Sequence, residues 1–254
     1  FETLKAFREA LKRGSRTLTI SSGGKLAEES LQAGVSHIRV PGGLQPRAAL
    51  PYLMIPAGLA LERLGLLENF QGELEEAVKV LDGLALKFGP ESPVDANPAK
   101  QLALGLHATL PVIYGFREYS SVAYRFKTQL NENSKIFCKY DVFPELDHNE
   151  IVGWEGLQPF LAGRIHVVIL RDKSEPAEIS AIIEAVKEII AESSPRVTEL
   201  YGEGETRLAK MLSLIYLCDY TSFYLAILNG VDPTPVSSIA ALKRKLAERL
   251  KGEV

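Results

Sequence analysis

The chain has 254 residues, 46% of them hydrophobic and 24% charged, enough for one large core or two smaller ones in an ordinary globular protein. A net charge of -3, with no basic stripe interleaved with aromatics, leaves no electrostatic footprint for nucleic acid. Two cysteines, Cys138 and Cys218, are too few for a disulfide framework and lack metal-ligand spacing, so both read as buried thiols in a reducing cytosol.

The opening Phe1-Glu2-Thr3-Leu4 has neither the basic nor the apolar region of a secretion signal. Ala48 to Leu61 is apolar but too short to span a membrane, and it carries Pro51 and Pro56. A cytoplasmic protein without nucleic-acid or membrane partners is expected.

Residues 1–13 place Leu4, Phe7 and Leu11 on one helical face, and Gly14 ends that helix. A strand at 17–21, a turn at 21–25 opening a helix that ends near Gly34, and a strand at 37–40 make a strand-helix-strand unit. Such a unit implies parallel pairing through a right-handed crossover. Helices follow at 48–65 and 73–88 with no evident sheet to cover, and two strands rarely stand alone. A sequence opening on Phe inside a helix leads us to expect that strands belonging before Phe1 are absent.

Gly89 to Pro98 concentrates three prolines and is the expected boundary, giving domains at 1–89 and 98–254 with a linker at 90–97. Behind it, strands are predicted at 111–114, 136–140, 165–170 and 197–201, with helices near 119–132, 149–161, 178–193 and 205–228. This alternation spells a doubly wound parallel sheet. The helix at 205–228 is apolar nearly all round, so it is expected in a core or at a subunit interface, and Asp219 within it needs a partner. Asn229-Gly230 and Asp232-Pro233-Thr234-Pro235 then turn into a charged final helix.

Several chemistries are excluded by motif. The Ser-Gly-Gly-Lys turn at 22–25 is no Walker loop, because no Gly stands five residues before Gly24 and Leu26 replaces the Ser or Thr. No G-x-G-x-x-G follows a strand, and H-E-x-x-H and C-x-x-C are absent, so neither a dinucleotide cofactor nor a metal has support. The stretch that concentrates chemistry is Pro144 to Trp154, P-E-L-D-H-N-E-I-V-G-W. It joins an apolar run to a helix and brings three acids and His148 to the carboxyl end of a strand, where open α/β sheets bind ligands. Asp147 and Glu150 in that stretch also fit a helix N-cap and its reciprocal partner.

P-E-L-D-H-N-E-I-V-G-W resembles a segment of the bifunctional phosphoglucose/phosphomannose isomerases, with Asp147 where Asn is usual. Further matches run in order along the chain. They are S-G-G-K-L at 22–26, V-P-G-G-L-Q-P-R-A-A at 40–49, N-P-A-K at 97–100, R-F-K-T-Q-L-N-E-N-S-K at 125–135, L-R-D at 170–172 and D-Y-T-S-F-Y-L-A-I-L-N-G-V-D-P-T-P-V at 219–236. Each alone is weak, but their order and spacing make the resemblance specific.

The resemblance implies two flavodoxin-like sugar isomerase (SIS) domains in an α/β fold, the first incomplete at its N-terminus. It also implies a homodimer and metal-free interconversion of glucose or mannose 6-phosphate with fructose 6-phosphate through an enediol. The alternative kept beside it is a non-catalytic sugar-phosphate-binding or regulatory SIS module.

By the same resemblance, Glu150 is the base, Arg47 lies near the sugar oxygens, and Lys243 takes part in proton transfer. Ser22 and Thr234 join the substrate-binding set. Arg47 also fits a loop-clamping role, Lys243 a solvated face shared with Arg244, Lys245 and Arg249, and Thr234 a rigid turn. Relatives carry a ring-opening histidine after the L-R-D strand end, where this chain reads Lys173-Ser174-Glu175-Pro176. His148 is the substitute, as acid or as orienting group, whereas His166, inside a strand, reads as a core residue. The family's Ser/Thr-rich phosphate loop lies upstream of the segment resembling Glu2-Thr3-Leu4, and Ser120-Ser121 fits either an anion site or a cap.

Overall fold

The computed structural model describes residues 2–161, 163–193 and 196–249. The chain forms two compact units that divide between Gly72 and Glu73, ahead of the 90–97 stretch expected as linker.

The first unit contains α1 (Glu2–Lys12), β1 (Leu18–Ser21), α2 (Gly24–Gln32), β2 (Ser36–Arg39) and α3 (Leu50–Arg63). Gly14 ends α1 with φ 65°, a conformation that costs glycine little. Strands β1 and β2 pair in parallel, Leu18 opposite Ser36 and Ser21 opposite Arg39, as the strand-helix-strand pattern requires. Arg8 clasps Glu29 across the helices at 2.9 and 2.6 Å.

The second unit follows α4 (Phe70–Phe88) with α5 (Pro98–Leu106), β3 (Leu110–Phe116), α6 (Tyr119–Glu132), β4 (Lys139–Phe143) and α7 (Glu150–Glu155). It continues with β5 (Ile165–Arg171), α8 (Ala177–Ala191), β6 (Arg196–Tyr201), α9 (Arg207–Leu228) and α10 (Ser237–Arg249). Its sheet is parallel throughout in the order β4-β3-β5-β6, the flavodoxin-like arrangement in which the strand order reverses between β3 and β5. Those central strands are buried along nearly their whole length, which explains their continuous apolar runs. Phe126 and Leu130 from α6 and Ile183 and Ile190 from α8 complete the core, each worth roughly 1.5–3 kcal/mol of burial.

Three elements differ from expectation. Strand β4 is Lys139–Phe143 rather than 136–140, because Ile136 O is taken by the Asn131 side chain at 2.7 Å instead of by the ladder. The helix expected at 149–161 stops at Glu155 and resumes as a short 3-10 turn, Pro159–Leu161, broken by Gly156 and Pro159. Helix α5 (Pro98–Leu106), for which no helix was predicted, begins at the last residue of the proline-rich segment. Asn97 accepts from Lys100 N at 3.1 Å to cap it and donates to Phe88 O and Gly89 O at 3.0 and 3.1 Å, so 90–97 is folded against α4 and α5.

Helix α9 packs on α5 and α6, as its all-round apolarity demands. Although 22 residues long and apolar enough by composition to cross a membrane, it is half buried within the protein. Asp219 finds Arg125 at 2.6 Å and Gln129 at 2.8 Å on α6, and burial still holds its carboxyl above the ordinary value. At its start, Glu205 N and Thr206 N donate to Glu76 at 2.6 and 3.1 Å, so a carboxylate of α4 sits at the helix N-terminus.

Candidate active site

Strand β4 ends at Phe143. The chain passes the cis peptide to Pro144 and a 3-10 turn, Glu145–His148, and enters α7 at Glu150. Asn149, not Asp147, is the cap: its Oδ1 accepts from Glu150 N at 2.6 Å and its Nδ2 donates to Glu145 O at 2.9 Å. Asp147 instead turns inward, and its Oδ1 has no hydrogen-bond partner among the described residues. Burial pushes this carboxyl up, against the pull of the neighbouring His148.

The turn and α7 fold back over the sheet. Glu150 was expected beyond a strand's carboxyl end; its carboxylate lies alongside edge strand β4, on one face of the sheet. The side chain is only 8% exposed. Tyr114, paired in register with Asp141, donates from its hydroxyl to Glu150 Oε1 at 2.8 Å. Lys139, the first residue of β4, pairs with Oε2 and lies 3.6 Å from Asp141. Trp154, one turn further along α7, donates Nε1-H to the Tyr114 hydroxyl at 3.2 Å, and Phe143 packs edge-on against the Tyr114 ring. Glu150 is thus held from both sides, by Tyr114 at Oε1 and by Lys139 at Oε2, a setting that suits an ionised carboxylate.

The other expected residues sit on other elements. His148 is exposed at the end of the 3-10 turn, and no hydrogen bond joins it to Glu150. Lys243 lies on the exposed side of α10 and makes no ion pair with Glu150. Thr234 is exposed in the turn after α9, where its N-H donates to Asp232 Oδ1 at 2.8 Å. In the first unit, Ser22 follows β1 directly and Arg47 is half-buried in a 3-10 turn, Pro46–Ala48, beyond β2. The loops carrying them are adjacent, since Val40 N donates to Ser21 O at 3.1 Å and a Cβ on Gly42 would touch Ser22 Cβ at 3.4 Å.

A second polar cluster stands where β3 and β5 part. A cavity of about 260 Å³ there is lined by Arg117, Asp172, Arg207 and Lys210, among others. Asp172 accepts from Tyr119 at 2.7 Å, Lys210 at 2.9 Å and Ser174 N at 2.8 Å. Burial would raise this carboxyl, but those donors outweigh it and hold it well below the usual range.

Tyr114, Lys139, Asp172 and Lys210 were not singled out in sequence. One signal was available for Tyr114: a phenol in the apolar run P-V-I-Y-G-F must find a hydrogen-bond partner once buried. His166 is a core residue as read, its two ring nitrogens bound to Gly105 O at 2.9 Å and Thr198 Oγ1 at 2.7 Å. Cys138 is buried, and its thiol is pushed up to about 11 by desolvation. Among the described residues no three His, Cys, Asp or Glu side chains converge as a metal site would need.

Residues 95–246 match the family model of the bacterial phospho-glucose isomerase C-terminal SIS domain. The chain is 44% identical over 248 residues to the bifunctional phosphoglucose/phosphomannose isomerase of Caldicellulosiruptor bescii, covering 97% of this chain and 73% of that one. The chain belongs to this isomerase family. The namesake from Aquifex aeolicus is 34% identical, with 96% and 72% covered. Among solved structures, a glucose-6-phosphate isomerase like protein from Thermus thermophilus superposes with a TM-score of 0.58 at 26% identity, over 85% of this chain and 75% of that one. These likenesses agree with the parallel α/β architecture and with the order of motifs along the chain.

Proposed function

We propose that this member of the isomerase family interconverts glucose 6-phosphate and mannose 6-phosphate with fructose 6-phosphate, through an enediol and without a metal. Glu150 takes the C2 proton of the open-chain aldose. The C-H electron pair becomes the C1=C2 double bond while the C1 oxygen gains a proton. Return of a proton to C1, with loss of the proton on O2, gives the ketose. The 44% identity to a bifunctional isomerase across 97% of the chain supports this reading most strongly, and the acceptor geometry of Glu150 supports its role as base.

Arg47 and Lys243 are assigned to the charge that develops on the sugar oxygens, Ser22 and Thr234 to substrate binding, and His148 to ring opening. The protein acts as a cytoplasmic homodimer. The experiment is a glucose 6-phosphate/fructose 6-phosphate isomerisation assay with chelator present, run beside Glu150→Gln. Chelator-resistant turnover that falls about 10²–10⁴-fold in the variant is expected. Hexose 6-phosphate binding without turnover would instead favour a sugar-phosphate-binding SIS module, and full turnover in a folded Glu150→Gln would remove the base from Glu150.

A further inference from the structure

A base whose oxygens are not equivalent has one that is held and one that reacts, and the surroundings of Glu150 separate the two. Oε1 meets a phenol with no solvent exposure at all. The direction of that hydrogen bond is settled by Trp154, because an indole N-H can only donate. Its contact at 3.2 Å makes the Tyr114 oxygen an acceptor, so the single phenolic hydrogen is committed to Glu150. Tyr114 is itself locked, with its Cα in the middle of a buried strand and Phe143 packed edge-on against its ring at 5.7 Å. Oε2 instead meets Lys139, whose side chain is 50% exposed and flexible enough to swing away. The oxygen whose partner can move aside is therefore the one on the Lys139 side.

We infer that Tyr114 is a positioning residue for Glu150: braced by Trp154, it holds Oε1 so that Oε2 is the atom that takes the substrate proton. This rests on Glu150 being the base of the isomerisation. The relay adds no acid or base to the reaction, since the phenol keeps its proton throughout. Burial raises the Tyr114 phenol above its ordinary value, which keeps it a donor at every working pH. What it supplies is a fixed carboxylate plane and a donor to the ionised form. The charged groups beside Glu150 on β4 are Lys139, which pairs with it, and Asp141, 3.6 Å from Lys139; Asp147 and His148 precede it in the 3-10 turn. Tyr114→Phe leaves all of them in place.

The test compares Tyr114→Phe and Trp154→Phe with the unaltered protein, with Glu150→Gln run alongside. Tyr114→Phe is expected to lower kcat about ten- to a hundredfold, as for a lost hydrogen bond to a charged group, with KM within about threefold. The acid limb of its kcat/KM profile should move to higher pH, because losing a donor to the carboxylate favours the protonated form. Trp154→Phe should move the same limb in the same direction by less, and it serves as the reading if Tyr114→Phe fails to fold. An unmoved acid limb with near-normal kcat, while Glu150→Gln is inactive, overturns the positioning role alone. Full turnover in Glu150→Gln overturns the base assignment and this inference with it.

Discussion

Replacing Arg171 by methionine tests how the end of β5 is held. The Arg171 and Glu175 side chains are 4% and 5% exposed, respectively. Arg171 Nε donates to Glu175 Oε1 and Oε2 at 2.9 and 3.0 Å, Nη1 to Glu184 at 2.9 Å and Nη2 to Ser180 at 3.1 Å, and Glu199 is also paired with it. Burial opposes the charge, and the hydrogen bonds that Arg171 donates to Glu175 and Glu184 overcome it, holding the guanidinium above its ordinary value.

In Arg171→Met, Glu184 is half exposed and can rehydrate, and Glu199 keeps Lys187 at 2.9 Å. Glu175 is left with the Asp172 N-H at 3.3 Å, so its stranded charge sets the cost. Breaking a buried pair from one side costs about 3–5 kcal/mol, which at about 2–4 °C per kcal/mol for a unit of this size lowers Tm by about 6–20 °C. Urea and thermal unfolding followed by circular dichroism measure both. The double variant Arg171→Met/Glu175→Met should recover most of the loss, because the desolvation penalty disappears with both charges. A single variant that loses less than about 1 kcal/mol, or a double variant as unstable as the sum of the two singles, would refute the reasoning.

Asp172 predicts an acid-sensitive term. Its folded value lies below the usual carboxylate range, so its contribution is present above the unfolded value of about 3.9 and is lost as pH falls through the folded one. Asp172→Asn should therefore be less stable at pH 7 and show a flatter stability profile below about pH 4, read by urea midpoints across that range. Glu76→Gln removes the negative charge from the α9 N-terminus, where Glu205 N and Thr206 N now donate, and should lower the urea midpoint, more at low salt than at high. Gly115→Ala places a Cβ 2.6 Å from Tyr119 O, a backbone clash that no side-chain movement relieves. It should cost at least about 1–3 kcal/mol and shift the amide spectrum of the β3-α6 turn.

Much of this protein was legible in the one-dimensional pattern. Parallel pairing followed from a strand-helix-strand alternation, and the buried centres of the second sheet from the runs P-V-I-Y-G-F and I-H-V-V-I-L, whose apolar residues have no other place to go. The partner demanded by Asp219 could be anticipated because a carboxylate inside an apolar helix is too costly alone, although Arg125 and Gln129, some ninety residues earlier, could not be picked out. The family followed from the order and spacing of motifs, and Glu150 from its place in one of them.

Only the tertiary structure decided what surrounds that carboxylate. Tyr114 and Lys139 reach Glu150 because β3 and β4 pair in one register, Tyr114 opposite Asp141, and because α7 turns back over the face of the sheet. A one-residue slip between the two strands would put the Tyr114 and Lys139 side chains on opposite faces. Local pattern suggested Asp147 as the cap, but the cap fell to Asn149 because the 3-10 turn after Pro144 rotates Asp147 inward. Periodicity and motif are short-range properties written in neighbouring residues. Register, helix direction and the meeting of side chains 36 positions apart are set by packing across the whole sheet, and they come into existence only when the chain has folded.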